Sequence, residues 1–434
     1  MFSPNLIKCL IALFLLPVSL FAQADANFRP IPASYDINSA NPVYALDVNY
    51  DELDVNRQAF HLFLPDTSGT YPLVVFIHGG GFTGGGRDVV LDNPERIGDI
   101  KYFLERGVAF ASIGYRVLAT NGPDTEGVIK SLSDAKRALQ FLRYYATDLH
   151  LSPEQFALYG TSAGAGTGLW LGLRSDMADP EATDPVLRES TRVCAVAAGG
   201  SQSTYDLYRW ETDVYNDFDG QGTNFTLDSI VELLTFERAS NFYGGLDSTY
   251  QIIHDEALIQ YRQDVDMLYH MSADDPPIYV VSNSVAVHPS QDLFHHSFHG
   301  ALIVQEALAA NLPEVKASIR ARGINTTDGE SRNEFLLRHL NACGQTTSGQ
   351  DLTIDQEINL FPNPAQEQIT VDLRGKGSLV TARLFASSGR LLLRRDLWQV
   401  TKVTLPVAAL KPGVYVLQVT NEAGRVFVRK VIVG

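Results

Sequence analysis

The sequence has 434 residues, of which 45% are hydrophobic and 19% are charged, and its formal net charge is −16. This length suits one sizeable globular domain plus a smaller one. The acidic balance argues against nucleic acid or an anionic membrane surface as the target of the main domain.

Residues 1–24 have the pattern of a secretory signal peptide. Lys8 precedes an apolar stretch, Leu10 to Phe21, that is too short to span a bilayer comfortably. Ala22-Gln23-Ala24 then fits a small-residue cleavage site. We therefore expect the chain to be exported and to contain no transmembrane segment.

A glycine-rich motif follows the first clear strand. The run Tyr71 to Ile77 has no alternating polar residues, which predicts a central strand of a parallel sheet covered on both faces. It ends in His78-Gly79-Gly80-Gly81-Phe82. Because glycine lets backbone amides approach a ligand closely, we predict that Gly80 and Gly81 donate to a developing oxyanion.

A second motif has the same context. Gln155 to Tyr159 is a predicted strand, Gly160-Thr161-Ser162-Ala163-Gly164 follows it, and a helix is predicted from Ala165 to Leu173. Glycines two residues before and after Ser162 permit the strained strand-to-helix turn that exposes a serine hydroxyl. Ser162 is thus the predicted nucleophile, and the Ala163 amide is a third predicted oxyanion donor.

In this order, on two predicted strands, the motifs resemble those of the α/β-hydrolase superfamily, in its carboxylesterase and lipase branch with an HGGGF loop. The resemblance covers roughly residues 45–341 and includes a predicted strand at 111–116 and a predicted helix at 134–142. It implies an α/β fold with a mostly parallel central sheet and a helical cap insertion. It also implies hydrolysis of carboxylic esters by a serine, histidine and acid triad.

The acid and the base of that triad are absent from the positions that the family implies. The predicted strand Pro277 to Val281 is followed by residues 282–289, which hold no carboxylate, and Asn283 or Ser284 stands where the acid is expected. The next predicted strand, Ala317 to Gly323, is followed by residues 324–329, which hold no histidine. An unassisted serine is a weak nucleophile near neutral pH, so this gap matters.

A cluster further along the chain offers a substitute, because Asp292, His295, His296 and His299 lie close together. If the chain is helical from Ser290, then Asp292, His295 and His299 share one face. We predict Asp292 as the acid and His296 or His299 as the base. The alternatives are a polar helix face with stacked histidines, or a metal site on His295 and His299. No further ligand is evident, and neither a metal nor another cofactor is predicted.

Residues 205–276 depart from alternating strand and helix, and we predict that they cap the pocket. Helices are predicted at Leu227 to Arg238 and within Ile252 to Met271. Four aromatic residues in this insertion either set the choice of substrate or belong to the core. They are Trp210, Phe242, Tyr243 and Tyr261.

Two cysteines, Cys194 and Cys343, remain once the signal peptide is removed. An oxidising compartment would allow them to pair. Because buried free cysteine is common, we expect both to be unpaired.

The hydrolase-like region, residues 25–341, is followed by a predicted polar linker at 342–356 and a predicted second domain at 357–434. The last part has short β segments punctuated by turn residues, which predicts a small β-sandwich. Its landmarks occur in the order Leu360-Phe361-Pro362-Asn363-Pro364, Ser388-Gly389-Arg390, Pro412-Gly413-Val414-Tyr415 and Arg429-Lys430-Val431.

This order resembles the C-terminal sorting domain that the type IX secretion machinery of Bacteroidota reads. The resemblance implies that machinery as a partner, and either release from the cell or attachment to its surface. A carbohydrate-binding sandwich is the alternative.

Two functions follow for the main domain. The first is a secreted hydrolase of small-molecule or polysaccharide-linked esters, in which Ser162 attacks the acyl carbon. The second is a catalytically degenerate hydrolase that binds a ligand or partner in the old pocket. The two intact motifs favour the first function, whereas the empty acid and base positions favour the second.

Overall fold

The computed structural model of the chain describes residues 26–215, 225–345, 359–372, 379–386, 391–421 and 426–434. Four sequence predictions fall at least partly outside the described residues. They are the signal peptide at 1–24, residues 216–224 of the cap, the linker from residue 346 onward, and the landmark Ser388-Gly389-Arg390.

A large sheet forms the centre of the first domain. Within the described part of the chain its strands are β1 (Arg29–Pro30), β2 (Val43–Asn49), β3 (Ala59–Leu64), β4 (Tyr71–Ile77), β5 (Ala109–Ile113), β6 (Leu151–Thr161), β7 (Val196–Gly199), β8 (Ile278–Ser282), β9 (Val315–Ile319) and β10 (Ile324–Asn325). They lie in the order β1-β2-β3-β5-β4-β6-β7-β8-β9-β10. The pairings from β5 through β9 are parallel, and those at both edges are antiparallel. The predicted mostly parallel sheet is confirmed.

Both faces of this sheet are covered, as the unbroken apolar run of β4 predicts. Successive side chains of a strand point to opposite faces. Leu73, Val75 and Ile77 accordingly join one buried cluster, whereas Val74 and Phe76 join the other. Strand β4, which leads into the glycine-rich motif, is therefore held in place by packing on both of its faces.

Helices on the two faces hold the sheet between them. The framework helices are α1 (Val89–Asp92), α2 (Pro94–Leu104), α3 (Ile129–Tyr144) and α4 (Ala163–Gly172), which precede the insertion, and α10 (Ser297–Ala309) and α11 (Arg332–Gln345), which follow it. Helices α3 and α4 contribute to the first cluster, and α2 and α11 contribute to the second. Among the described residues, no helix is long and apolar enough to cross a membrane.

The insertion is helical, as predicted, but more broken than its spacing suggests. It contains α5 (Leu207–Arg209), a π-helical turn at Trp210–Val214, α6 (Leu227–Leu234), α7 (Phe236–Phe242), α8 (Thr249–His254) and α9 (Glu256–Val265). The single helix predicted over Leu227 to Arg238 is interrupted at Thr235, whose φ of 73° lies in the left-handed region. The Thr235 side chain accepts a hydrogen bond from the Arg238 amide and so caps α7.

The chain is not helical from Ser290, as the shared face of Asp292, His295 and His299 would require, because α10 begins at Ser297. Only a short 3-10 turn, Pro289–Gln291, comes before it. At Asp292 the backbone is non-helical (φ −159°, ψ 68°), and its carboxylate accepts a hydrogen bond from the His295 amide. Short polar side chains compete in this way with helical hydrogen bonds. The segment from Asp292 to His296 is therefore a structured loop.

The expectation of unpaired cysteines is also wrong, because Cys194 and Cys343 form a disulfide. Cys194 lies just before β7, and Cys343 lies in the last turns of α11. Helix α11 packs on the sheet face where Cys194 is buried. The sequence does not reveal that packing, so the proximity of the two sulfurs could not be predicted from it.

The second domain is the predicted sandwich of two antiparallel sheets. Its described strands are β11 (Asn359–Phe361), β12 (Gln368–Asp372), β13 (Leu379–Ala386), β14 (Leu391–Val400), β15 (Lys402–Pro406), β16 (Gly413–Asn421) and β17 (Val426–Val433). The sheet orders are β11-β12-β15 and β14-β13-β16-β17. Ile369 and Leu405 of the first sheet share a core with Leu384 and Leu417 of the second.

Candidate active site

Ser162 lies in the sharp turn between β6 and α4 at the carboxyl edge of the sheet. Its backbone has φ 53° and ψ −124°, a region that non-glycine residues rarely adopt. Its amide donates to the carbonyl of Gly199 at the end of β7, 2.8 Å away. Two neighbouring strands thus hold the strained residue with its side chain half-buried at the sheet edge.

The glycines on either side make this turn possible by close approach. A Cβ atom at Gly160 would lie 2.2 Å from the carbonyl oxygen of Gly164. A Cβ atom at Gly164 would lie 2.1 Å from the carbonyl oxygen of Ile77. The motif therefore packs against the end of β4, which brings the serine turn and the glycine-rich loop side by side.

His295 is the histidine that contacts the serine. Its Nε2 lies 2.9 Å from Ser162 Oγ, and its Nδ1 lies 3.1 Å from Asp292 Oδ1. A carboxylate can only accept, so Nδ1 carries the proton, and Nε2 presents its lone pair to the Ser162 hydroxyl. Ser162, His295 and Asp292 therefore form a hydrogen-bonded chain in the order of a catalytic triad.

Asp292 is held by its own neighbours. Ser284 Oγ donates to Asp292 Oδ2 at 2.7 Å, while the other carboxylate oxygen accepts from the His295 amide and imidazole. Ser284 is one of the two residues, with Asn283, that stand where the sequence resemblance places the acid. The residue that follows β8 thus orients a carboxylate supplied eight positions later.

The other two histidines of the cluster do not contact Ser162. His296 is the N-cap residue of α10, and its Nδ1 accepts from the Phe298 amide at 3.4 Å. His299 is fully buried, with Nδ1 3.2 Å from the Ser203 amide nitrogen and Nε2 3.1 Å from the Leu293 carbonyl oxygen. The structure therefore does not place His296 or His299 as the base. Both nitrogens of His299 are engaged in hydrogen bonds, so neither is available to bind a metal ion. The error follows from the assumed helix, because in the loop only His295 faces the serine.

The three predicted oxyanion donors have free amides. Among the described residues, no backbone or side-chain acceptor takes a hydrogen bond from the amide of Gly80, Gly81 or Ala163. Ala163 is the first residue of α4, where amides have no partner within the helix. The positive end of the helix dipole adds to the attraction of an anion there.

His78 fixes the start of the glycine-rich loop. Its Nδ1 lies 2.7 Å from the Gly79 carbonyl oxygen, and its ring stacks on Tyr115 with centroids 4.2 Å apart. The Tyr115 hydroxyl donates to the His78 carbonyl at 2.7 Å. Burial lowers the pKa of His78 to about 4, so the imidazole is neutral near pH 7. We interpret His78 as a positioning residue for the loop.

A small cavity of about 40 Å³ lies beside the glycine-rich loop. Gly81 borders it on one side, and Phe294, the neighbour of His295, borders it on the other. Its wall is otherwise mostly aromatic and aliphatic. The remaining lining residues are Phe82, Gln202, Tyr205, Leu207, Trp210, Leu234, Arg238, Ala239 and Phe242. We call this space the aromatic cavity.

A larger cavity of about 480 Å³ has His295 in its wall, and we call it the polar cavity. His295 and Asp292 line it, as do Gly200 and Asn283 at the strand ends. Arg332 contributes a cation to its wall but is already paired with Asp99. A volume in the range of about 300–1,000 Å³ is typical of small-molecule sites.

The four aromatic residues of the cap divide between the two sequence interpretations. Trp210 and Phe242 line the aromatic cavity. Tyr243 and Tyr261 do not line this cavity, and their hydroxyls form hydrogen bonds with backbone groups of the domain. The Tyr243 hydroxyl accepts from the Leu207 amide, and the Tyr261 hydroxyl accepts from the Ile129 amide.

Two family models match the chain. Residues 60–229 match the BD-FAE family. Residues 359–434 match the secretion system C-terminal sorting domain. The first match contains the glycine-rich loop, Ser162 and the start of the insertion, and the second contains the complete sandwich. No curated protein is significantly similar to the sequence.

Solved structures of similar fold include three hydrolases. A truncated carbohydrate esterase from gut microbiota is 11% identical, with 69% of this chain and 96% of that chain covered and a TM-score of 0.45. Esterase B from Lactobacillus rhamnosis is 16% identical, with 70% and 87% covered and a TM-score of 0.43. An acetyl ester-xyloside bifunctional hydrolase from Caldicellulosiruptor lactoaceticus is 16% identical, with 76% and 98% covered and a TM-score of 0.41.

Proposed function

Since this chain joins an esterase-like α/β-hydrolase domain to a C-terminal sorting domain of the type IX secretion system, we propose that it is an exported serine esterase. Its nucleophile is Ser162, its base is His295 and its acid is Asp292. The observation that carries the proposal is the 2.9 Å contact between Ser162 Oγ and His295 Nε2. The sorting domain directs the chain to the type IX machinery and thereby to the cell surface or the exterior.

In the first half-reaction, His295 Nε2 takes the proton of Ser162 as Oγ attacks the ester carbonyl carbon. The imidazolium that forms is stabilised by Asp292 through Nδ1. The carbonyl oxygen becomes an oxyanion, and the free amides of Gly80, Gly81 and Ala163 are its proposed donors. His295 then gives its proton to the leaving alcohol, and an acyl-serine remains.

In the second half-reaction, water attacks the acyl-serine, with His295 again as base and then as acid. The carboxylic acid leaves, and Ser162 recovers its proton. Every proton in the cycle passes through His295 Nε2. A neutral His295 is therefore required at the start of each half-reaction.

The two cavities support an assignment of the two parts of the ester. The leaving alcohol must receive its proton from His295, and His295 lines the polar cavity but not the aromatic cavity. We therefore place the alcohol in the polar cavity, which has the size for a sugar or another polar group. The acyl group then enters the aromatic cavity beside the glycine-rich loop.

Labelling with a fluorophosphonate probe, together with hydrolysis of 4-nitrophenyl acetate, tests the proposal. We expect the full chain to label at Ser162, as read by peptide mass spectrometry, and Ser162→Ala to lose both labelling and turnover. His295→Gln should lower kcat by at least about 10²-fold, because it removes the general base. His288→Gln is the matched control, since it replaces an exposed histidine in the same segment.

A folded protein that neither labels nor hydrolyses the ester would contradict the proposal. The degenerate, ligand-binding alternative would then be the better description. Equal rates for the parent and His295→Gln would contradict the assignment of the base alone.

A further inference from the structure

Arg238 is a cation without a carboxylate partner in the wall of the aromatic cavity. Its guanidinium donates to the Gly81 carbonyl at 3.2 Å, and its central carbon lies 4.7 Å from the centre of the Phe294 ring. Within the described part of the chain, no Asp or Glu lies within ion-pair distance of it. Burial lowers its pKa, and no carboxylate acts to raise it.

The other arginines near the site differ in this respect. Arg96 and Arg332, on the polar cavity, share the buried carboxylate of Asp99. Their charge is already balanced inside the protein. Arg238, in contrast, is partly buried, has one hydrogen bond, to the Gly81 carbonyl, and lines a space with almost no other polar group. Burying an uncompensated cation costs free energy, so such a residue is expected to meet an anion from outside.

The position of Arg238 is fixed by the loop that holds the proposed oxyanion donors. A Cβ atom at residue 81 would lie 2.4 Å from Arg238 Nη2, so a larger residue at position 81 would displace the guanidinium from its present position against this loop. On the other side the guanidinium covers Phe294, the neighbour of His295. The cation is therefore held between the glycine-rich loop and the residue that precedes the proposed base.

From this arrangement we propose that the aromatic cavity takes a short acyl group ending in a carboxylate, and that Arg238 binds that carboxylate. The inference rests on the proposed esterase function and names its acyl substrate as a half-ester of a short dicarboxylic acid. The small volume of the cavity, about 40 Å³, favours a short acyl group over a long or bulky one.

The net charge of the chain opposes a negatively charged substrate at long range. At physiological ionic strength, charges beyond about 8 Å are largely screened. A charge-assisted hydrogen bond inside the aromatic cavity is short and partly shielded from water, so the local contact with Arg238 outweighs the distant acidic surface.

The test compares monomethyl succinate with its uncharged amide, methyl succinamate, as substrates of the full chain, with methanol release as the readout. We expect kcat/KM of the parent to be higher for the half-ester by about 10- to 100-fold, the factor that a charge-assisted hydrogen bond supplies. Arg238→Met should abolish this ratio, mainly through KM for the half-ester. Arg238→Lys should retain part of it. Arg188→Met, which removes an exposed arginine away from the cavity, is the matched control.

A ratio that is near one in the parent, or that Arg238→Met leaves unchanged, overturns the inference. Fluorophosphonate labelling of Ser162 separates the two levels of failure. If Ser162 labels and the ratio fails, only the carboxylate site is wrong. If Ser162 does not label in the folded parent, the esterase proposal fails as well, and the inference fails with it.

Discussion

Three histidines within five positions occupy three different environments. The His295 side chain is 41% exposed and faces Ser162, His296 caps α10, and His299 is buried without access to solvent. The imidazole of His299 links Ser203, after β7, to Leu293 in the loop that carries His295. We interpret His299 as a positioning residue that fixes the loop from behind.

The buried imidazole of His299 predicts a dependence of stability on pH. Burial lowers its pKa to about 3, against about 6.5 in the unfolded chain. Between these values the unfolded state binds more protons than the folded state, so stability falls as the pH drops below about 6.5. One such group contributes a slope of up to about 1.4 kcal/mol per pH unit. We expect His299→Gln to show a shallower loss of unfolding free energy between pH 7 and pH 5.

Urea unfolding at several pH values measures this slope. His288→Gln removes an exposed imidazole from the same segment and serves as the control. Parallel curves for the parent and His299→Gln would contradict the prediction. Burial also lowers the pKa of His78. Both proteins keep His78, so it adds the same pH dependence of stability to each curve.

At the scale of elements, the site is formed where β4, β6 and β8 end at one edge of the sheet. The glycine-rich loop follows β4, Ser162 follows β6, and Ser284 follows β8. The carboxyl ends of parallel strands lie at the same edge, so the loops that follow them converge. The loop between β8 and α10 then supplies both Asp292 and His295, which are only three positions apart.

The packing of α4 against β4 predicts a sharp difference between two glycine substitutions. Gly164→Ala would force a Cβ atom to within 2.1 Å of the Ile77 carbonyl oxygen. We expect it to lower the free energy of unfolding by at least about 2 kcal/mol, as overpacking does, and to abolish activity by shifting Ser162. Denaturant unfolding and ester hydrolysis measure the two effects.

Gly98, in the middle of α2, is the control for this prediction. Apart from its chain neighbours and the backbone of its own helix, no atom lies within 4 Å of a Cβ atom built there. Gly98→Ala should raise the unfolding free energy by about 0.5–1 kcal/mol, because alanine favours the helix. A Gly164→Ala protein with parental stability and activity would show that α4 can move away from β4.

At the scale of the whole molecule, a disulfide ties the last helix of the first domain to its central sheet. Cys194 and Cys343 are separated by 149 positions, so the bond restricts a long loop in the unfolded chain. We expect Cys194→Ser with Cys343→Ser to lower the unfolding free energy by about 2–4 kcal/mol. Denaturant unfolding with and without a reducing agent measures the effect. A reductant that leaves the parent's midpoint unchanged would contradict the prediction.

Much of this organisation was predictable from local signals. The strand Tyr71–Ile77 was predicted with its observed bounds, because an unbroken apolar run is typical of a strand that is buried on both faces of the sheet. The sandwich was predicted as a series of short β segments, because turn residues separate its strands. The aromatic cavity and Arg238 carry no such signal, since residues from distant elements meet there.

The sequence by itself determined the α/β architecture, the sorting domain and the motif around Ser162, because apolar periodicity and glycine spacing act over a few residues. Only the tertiary structure decided that His295 rather than His296 or His299 faces the serine. It also decided that Ser284 orients Asp292 and that Cys194 meets Cys343. The physical reason is the same in each case: these contacts depend on how a loop or a helix end lies against the sheet, and packing at long sequence separation sets that position.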